Sequence, residues 1–389
     1  MKTVYFDNSA TTPLSPLARD TFLRVSTESW GNASSLHTVG LRAHEILEKA
    51  RLTLRRALGG TGGKILFTGS GSEANNLAIF GRAFAKPRFR RGGRILTTLG
   101  EHASVAMPLA ALRKEGFDVV ELPTRGGQID LAALEDALTP EVFLVSVMTV
   151  NNETGACYDL RTLRACMRER APQAVLHTDA TQAFGKIPLR ATESGWDMVT
   201  VSAHKIGGPQ GCGALWVSDS LLRNKGLVPF VLGGGQEEGF RSGTENIPGC
   251  AAFAAAAEEA DRLLPSRAAQ MQRLSERLLS RLPDLPGAPG LHPNLPPCRA
   301  PHILSLTLPD IKSETMLHFL SARGFCIANG SACSSHGRHA PAPLLAFGLT
   351  GREADCTVRI SFSHENTDEE VDLFCDALRE GLASIARIR

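Results

Sequence analysis

The chain has 389 residues, of which 43% are hydrophobic and 21% charged, so it can bury a sizeable core and is not disordered. Forty-two Lys and Arg face 40 Asp and Glu, a net charge of +2, which excludes the basic field of a nucleic-acid binder. Its nine cysteines are scattered without a Cys-x-x-Cys pair, unlike a zinc module or a secreted disulfide framework.

In chain order, Met1 to Tyr5 lacks the apolar core of a signal peptide. The longest apolar stretches, such as Val142 to Val150, fall short of the ~20 residues that cross a bilayer. A cytoplasmic protein without membrane contact is expected. Leu41 to Leu58 carries a helical stripe that Gly59-Gly60 stops. Lys64–Thr68 reads as a strand, Ser72–Ala85 as a helix, Arg94–Thr98 as a strand and Ser104–Gly116 as a helix. Further strands are expected at Asp118–Leu122, Val142–Thr149, Ala174–Thr178, Asp197–Val201 and Gly213–Val217. This strand-then-helix rhythm predicts an α/β fold with a mostly parallel sheet covered on both faces.

The composition then changes. Gly249–Leu282 reads as one long Ala- and Leu-rich helix, and Pro283 to Pro301 is Pro-rich and irregular. A shorter α+β pattern follows: strand His302–Leu308, helix Ser313–Ala322, strand Phe325–Ala328, strand Thr357–Phe362 and helix Asp368–Ala386. The main domain boundary is placed near residue 257.

Ligands of open α/β sheets sit at the carboxyl ends of the strands. Here polar residues follow five of the expected strands: Gly69-Ser-Gly-Ser-Glu73, Glu101-His102, Asn151-Asn152, Asp179 and Ser202-Ala-His-Lys205. The first opens a helix, whose free N–H groups and partial positive charge suit a phosphate; taken alone it also suits an ordinary βα turn. Lys205, after an apolar strand, could be a desolvated nucleophilic amine or a surface lysine. Asp179 could hold a protonated ring nitrogen or cap a helix. His102 could stack on a planar ring or be a structural group.

Val4–Pro13 (VYFDNSATTP), Trp30–His37 (WGNASSLH), Phe67–Asn76 (FTGSGSEANN), Asn151–Gly155 (NNETG), His177–Gln182 (HTDATQ), Ser202–Lys205 (SAHK), Arg241–Asn246 (RSGTEN) and Gly330–Ser334 (GSACS) together resemble the cysteine desulfurases. These are pyridoxal-phosphate enzymes of the class V aminotransferase superfamily, fold type I. The resemblance runs in order over essentially the whole chain. It implies a large domain, residues 13–257, with a mostly parallel seven-stranded sheet. A smaller α+β domain, 1–12 with 258–389, would carry a catalytic-cysteine loop at about 329–343.

The resemblance makes Lys205 the Schiff-base lysine, Asp179 the pyridinium partner, His102 the stacking ring, and Gln182 and Asn152 donors near the ring hydroxyl. Gly71, Ser72, Ser202 and His204 are implied to hold the phosphate of pyridoxal 5'-phosphate. Thr244 is implied to reach the phosphate of the partner subunit in a homodimer. Asn32 and Arg359 are implied to hold the carboxylate of L-cysteine, and no metal is expected. Cys333 lies in a small, polar, Gly-containing run with His336, Arg338 and His339 nearby, a setting for a reactive thiolate rather than a core thiol. The implied activity is transfer of sulfur from L-cysteine to Cys333 and on to an acceptor protein. A selenocysteine lyase, or another β-eliminating enzyme of the superfamily, is the alternative. Cys157, Cys166, Cys250, Cys356 and Cys375 sit in or beside apolar patterns and Cys326 in a strand, whereas Cys212 and Cys298 fit neither. Ala33 and Gly207 depart from the family pattern without removing a chemical group.

Overall fold

The computed structural model describes residues 3–90, 92–285, 290–330, 341–385 and 387. Its strands are β1 (Val4–Tyr5), β2 (Lys64–Thr68), β3 (Arg94–Thr98), β4 (Asp118–Leu122), β5 (Thr124–Arg125), β6 (Gln128–Ile129), β7 (Val142–Ser146), β8 (Val175–Asp179), β9 (Met198–Ser202) and β10 (Gly213–Val217). They continue as β11 (His292–Pro293), β12 (Ile303–Thr307), β13 (Phe325–Cys326), β14 (Ala328–Asn329) and β15 (Thr357–Ser361).

Seven strands form the large sheet in the order β2-β10-β9-β8-β7-β3-β4. Only β10 runs against its neighbours; β9, β8, β7, β3 and β4 pair in parallel. The side-chain period of two divides each strand between two cores. Ile65, Phe67, Leu96, Val145, Leu176, Val199 and Trp216 enter one cluster, beneath the helices Pro16–Glu28, Thr38–Ala57 and Ile247–Arg262. Leu66, Ile95, Leu144, Val175, Met198 and Leu215 enter the other, beneath Gly71–Ala83 and Ala103–Lys114. Burial on both faces explains why these strands read as unbroken apolar runs.

A second, four-stranded antiparallel sheet has the order β11-β12-β15-β14. Its core takes Leu304, Leu306, Val358 and Ile360 from the sheet and Leu274, Leu278, Phe374 and Leu378 from the helices Leu264–Arg281 and Asp368–Ser384. The N-terminus belongs to this core. β1 pairs in parallel with β13, and Phe6 meets the rings of Phe362 at 5.3 Å and Phe374 at 5.6 Å. We propose residues 13–257, and 1–12 with 258–389, as the two folding units.

Two expectations need correction. The run Gly249–Leu282 is two helices, Ile247–Arg262 and Leu264–Arg281, parted at Leu263. Pro265, in the first turn of the second, has no N–H to donate and its ring crowds the preceding turn, so a continuous helix is not available. Phe325–Ala328 is likewise not one strand. β13 serves the N-terminal β1 and β14 serves β15, so the chain changes partner at Ile327.

Candidate active site

The site is assembled from strand ends. After β2, Ser70 caps the helix Gly71–Ala83, its Oγ accepting from the Glu73 amide at 3.1 Å, and the first helical N–H groups stay open. Gly213 on β10 passes directly behind this turn; a Cβ there would lie 2.3 Å from the Ser70 carbonyl carbon. Ser202 ends β9 beside the turn, 3.3 Å from where a Cβ on Gly71 would stand. A cavity of about 270 Å³ opens between these ends, lined by Ser72, His102, Asn152, Asp179, Gln182, Ser202, His204 and Lys205.

Asp179 is buried, and its two oxygens are aligned by separate donors. Asn75 Nδ2 donates to Oδ2 at 2.8 Å and the Thr181 amide to Oδ1 at 2.9 Å. Asn75 also donates to Ser104 Oγ at 2.8 Å, while its own Oδ1 is buried without a hydrogen-bond partner. A carboxylate accepting two bonds keeps lone pairs for a third donor in the cavity. No helix follows Asp179, so it caps a turn and nothing longer.

His102 caps Ala103–Lys114, its Nδ1 accepting from the Ser104 amide at 3.1 Å. That bond leaves the proton on Nε2, and burial pulls its pKa below the ordinary histidine value, so the ring is neutral at neutral pH. Beside it, burial pushes the Glu101 carboxyl up to about 8, although Thr98 Oγ1 at 2.8 Å and the Met148 amide at 3.0 Å both donate to it.

The N-terminal segment covers the lysine. Lys205 Nζ donates to the carbonyls of Ser9 at 2.6 Å and Ala10 at 2.7 Å, and Gln182 Nε2 donates to the same Ser9 carbonyl at 2.9 Å. Thr12 ties the segment down by donating to the His204 carbonyl at 2.9 Å. Burial, with Lys205 nearby, drops the His204 pKa to about 4, so this imidazole is also neutral at neutral pH.

Arg359, on β15, is buried just behind the cavity wall. Its Nη1 donates to Glu153 Oε1 and to the Asn152 carbonyl, both at 3.0 Å, and its Nη2 donates to Asp7 Oδ1 at 3.0 Å. Burial raises the Glu153 pKa against the opposing pull of Arg359.

The cavity therefore gathers Lys205, Asp179, His102, Gln182, Asn152, Gly71, Ser72, Ser202 and His204. Thr244 and Asn32 do not line it; both are exposed, and Asn32 Oδ1 accepts from the Ser34 amide at 2.8 Å. The neighbours of these two residues, Ser34 and Glu245, line one shallow depression elsewhere on the chain. Cys333, with His336, Arg338 and His339, lies outside the described residues. Among the described residues no group of three His, Cys, Asp or Glu could hold a metal, and no helix is long and apolar enough to cross a membrane.

Sequence reasoning missed Asn75, Asp7, Glu153 and the Ser9 and Ala10 carbonyls. Asn75 had a signal, standing four residues after Gly71 and so on the same helix face. Glu153 lay inside a quoted motif. The contacts of Asp7 with Arg359 and of Ser9 with Lys205 join residues 352 and 196 apart, and no local pattern reports them.

A family model, aminotransferase class-V, matches residues 4–374. The chain is 40% identical over 384 residues to a NifS/IcsS protein homolog of Lactobacillus delbrueckii subsp. bulgaricus, covering 97% of this chain and 96% of that relative. It is 35% identical over 376 residues to the cysteine desulfurase IscS 1 of Archaeoglobus fulgidus, covering 96% and 95%. Among solved structures, a NifS-like protein superposes with a TM-score of 0.90 at 32% identity, over 98% of this chain and all 100% of that one. A structure described as SspA in complex with cysteine superposes with a TM-score of 0.81 at 31% identity, over 94% and 100%. With its strand-end cavity and a family match over nearly its full length, the chain belongs to the class-V aminotransferases.

Proposed function

We propose that the chain is a pyridoxal 5'-phosphate-dependent L-cysteine desulfurase, forming L-alanine and a persulfide on Cys333. The observation that carries this is the joining of the Lys205 amine, the aligned Asp179 carboxylate and an open helix N-terminus in one buried cavity. Relatives named cysteine desulfurase, and a similar structure described with cysteine, support the choice of substrate.

The residues fit the cofactor on structural grounds. The Gly71 turn and Ser202 offer N–H and O–H donors to a phosphate, and no Cβ intrudes there. Asp179, held by Asn75 and Thr181, suits a ring N–H, and neutral His102 suits the face of a planar ring. Bound there, the cofactor supplies the electron sink that loosens the bonds at the Cα and Cβ of the amino acid.

Lys205 leaves the Ser9 and Ala10 carbonyls to hold the cofactor and, when released by substrate, moves the proton at Cα. Arg359 grips the substrate carboxylate through its planar fork. The Cys333 thiolate attacks the substrate sulfur; the S–S bond forms as the C–S bond breaks, and the carbon keeps the electron pair and is protonated to alanine. The persulfide is then passed to an acceptor protein, an iron–sulfur scaffold or a thiolation enzyme. Thr244 is exposed, as are the large apolar side chains of Trp30 (71%) and Leu232 (82%), which supports a homodimer in which Thr244 reaches the partner's phosphate site. The reducing conditions of a cytoplasm would keep Cys333 free.

Turnover of cysteine and selenocysteine should be compared for wild type and Cys333→Ala. Loss of sulfide formation from cysteine in the variant, with the cofactor absorbance retained, supports the reading. Turnover of selenocysteine alone makes the chain a lyase of that substrate, and full cysteine turnover without Cys333 makes it a simple β-eliminating enzyme.

A further inference from the structure

Two cysteines with no part in the proposed chemistry lie side by side across the seam between the large sheet and the small one. After β7 the chain makes a tight hairpin whose tip carries Asn152 and Glu153, and whose ends are joined by an antiparallel bridge between Val150 and Cys157. Just before Cys157 a second bridge, Ala156 with Arg299, ties the outgoing arm to the segment entering β12. The Cys157 amide donates to the Cys298 carbonyl at 2.9 Å, and the Ala300 amide to the Gly155 carbonyl at 2.8 Å. Cys157 and Cys298 are thus directly opposite one another at a hydrogen-bonded position of a short antiparallel ladder. There, Cα atoms are about 5.5 Å apart, inside the roughly 4.4–6.8 Å that a disulfide spans.

The side chains agree with the backbone. After burial, the Cys298 thiol is what raises the Cys157 pKa, so the two sulfurs are neighbours, and both are free. Cys298 is exposed and Cys157 half-buried, so one sulfur is open to a reagent and the other is shielded beside it. That asymmetry is the arrangement of an attacking thiol with a resolving one, rather than of two core cysteines.

We propose that Cys157 and Cys298 form a reversible disulfide, a redox-sensitive staple between the Asn152 hairpin and the strand entry of the small sheet. The oxidant is a small-molecule disulfide such as oxidised glutathione. The exposed Cys298 thiolate attacks it, forming a mixed disulfide and releasing one glutathione. Cys157 then attacks the Cys298 sulfur, forming the internal S–S bond and expelling the second glutathione as its thiol. Two protein thiols are oxidised by two electrons and one glutathione disulfide is reduced. Burial raises the Cys157 pKa while Cys298 is exposed, so the mixed disulfide forms on Cys298 first.

The staple has a consequence for the site. Asn152 lines the cavity, and its carbonyl and Glu153 hold Arg359, which arrives from the small sheet on β15. Fixing the base of the hairpin to residue 298 fixes the position of one unit against the other at the point where they share Arg359. It also closes the long chain between 157 and 298 in the unfolded state, so oxidation raises the thermal midpoint.

Trypsin leaves the two cysteines on separate peptides, 126–161 and 282–299, each holding a single cysteine. The full chain is equilibrated in glutathione buffers from reducing to oxidising, blocked with a maleimide, digested and weighed. The proposal expects a cross-linked 126–161/282–299 peptide that grows as the buffer becomes oxidising and disappears with dithiothreitol. A higher thermal midpoint of the oxidised chain should accompany it, and both effects should be absent in Cys298→Ser, an exposed position that tolerates the change. Independent blocking of both cysteines under oxidising buffer, a glutathione adduct on Cys298 that never resolves, or cross-links to other cysteines instead would each overturn it.

Discussion

The Arg359 fork is not idle, and this sets a measurable competition. Its Nη1 and Nη2 are each 3.0 Å from a carboxylate, Glu153 and Asp7, and the side chains of Arg359 and Glu153 are only 6% and 8% exposed, so little water screens the pair. A substrate carboxylate entering this fork must displace one of the two. A charge-assisted hydrogen bond is worth about 1.5–3 kcal/mol net, and burial already works against the ionised form of Glu153, which places its share at the lower end. Releasing about 1.5 kcal/mol corresponds to roughly a tenfold change in affinity. Glu153→Gln should therefore lower the KM for cysteine about tenfold with kcat changed much less. Arg359→Lys, which loses the fork, should raise it by at least as much. Steady-state kinetics of both variants against wild type is the assay, with thermal melts to show that each is folded. A folded Glu153→Gln variant whose KM is unchanged or higher would refute the idea that Glu153 competes for the fork.

Glu101 gives a pH prediction. Its carboxyl is raised from 4.5 to about 8, so the folded chain keeps a proton that the unfolded chain releases between those values. Stability from this group is present below about pH 4.5 and is lost as the pH rises to about 8. Glu101→Gln should flatten that part of the stability profile and melt higher than wild type above pH 8, as calorimetry across the range would show. At Gly213, a Cβ would collide with the backbone of Ser70 and Gly71, which cannot retreat as a side chain can. Gly213→Ala should displace the helix N-terminus and weaken retention of pyridoxal 5'-phosphate by tenfold or more, read from cofactor absorbance after dialysis. Unaltered retention would show that the turn does not hold the phosphate.

The large sheet was legible because its signals are local. β2, β3, β4 and β10 begin and end where the apolar runs and their Gly or polar stops place them, and the polar residues just beyond the strands fall into one cavity. Where a boundary depends on a distant partner, the sequence is silent. The break at Ile327 exists because β13 and β14 join different sheets, and the N-terminal strand joins the C-terminal core through pairings that no local pattern contains. The site follows the same rule. Lys205, Asp179 and His102 announce themselves as strand-end polar groups, whereas their orientation depends on Asn75, Thr181 and the Ser9 carbonyl, supplied by other elements. Cys298 fitted no periodic pattern; its meaning comes from Cys157 opposite it.

Transfer of sulfur from cysteine to Cys333 has one direct test. The holoenzyme is given a single equivalent of L-cysteine without reductant, quenched with an alkylating agent and digested, and peptide 324–338, which holds Cys326 and Cys333, is weighed and fragmented. One added sulfur atom is expected on Cys333 and none on Cys326, with alanine released in equal amount. Alanine formed with no sulfur on Cys333, or pyruvate and sulfide formed in its place, would contradict it.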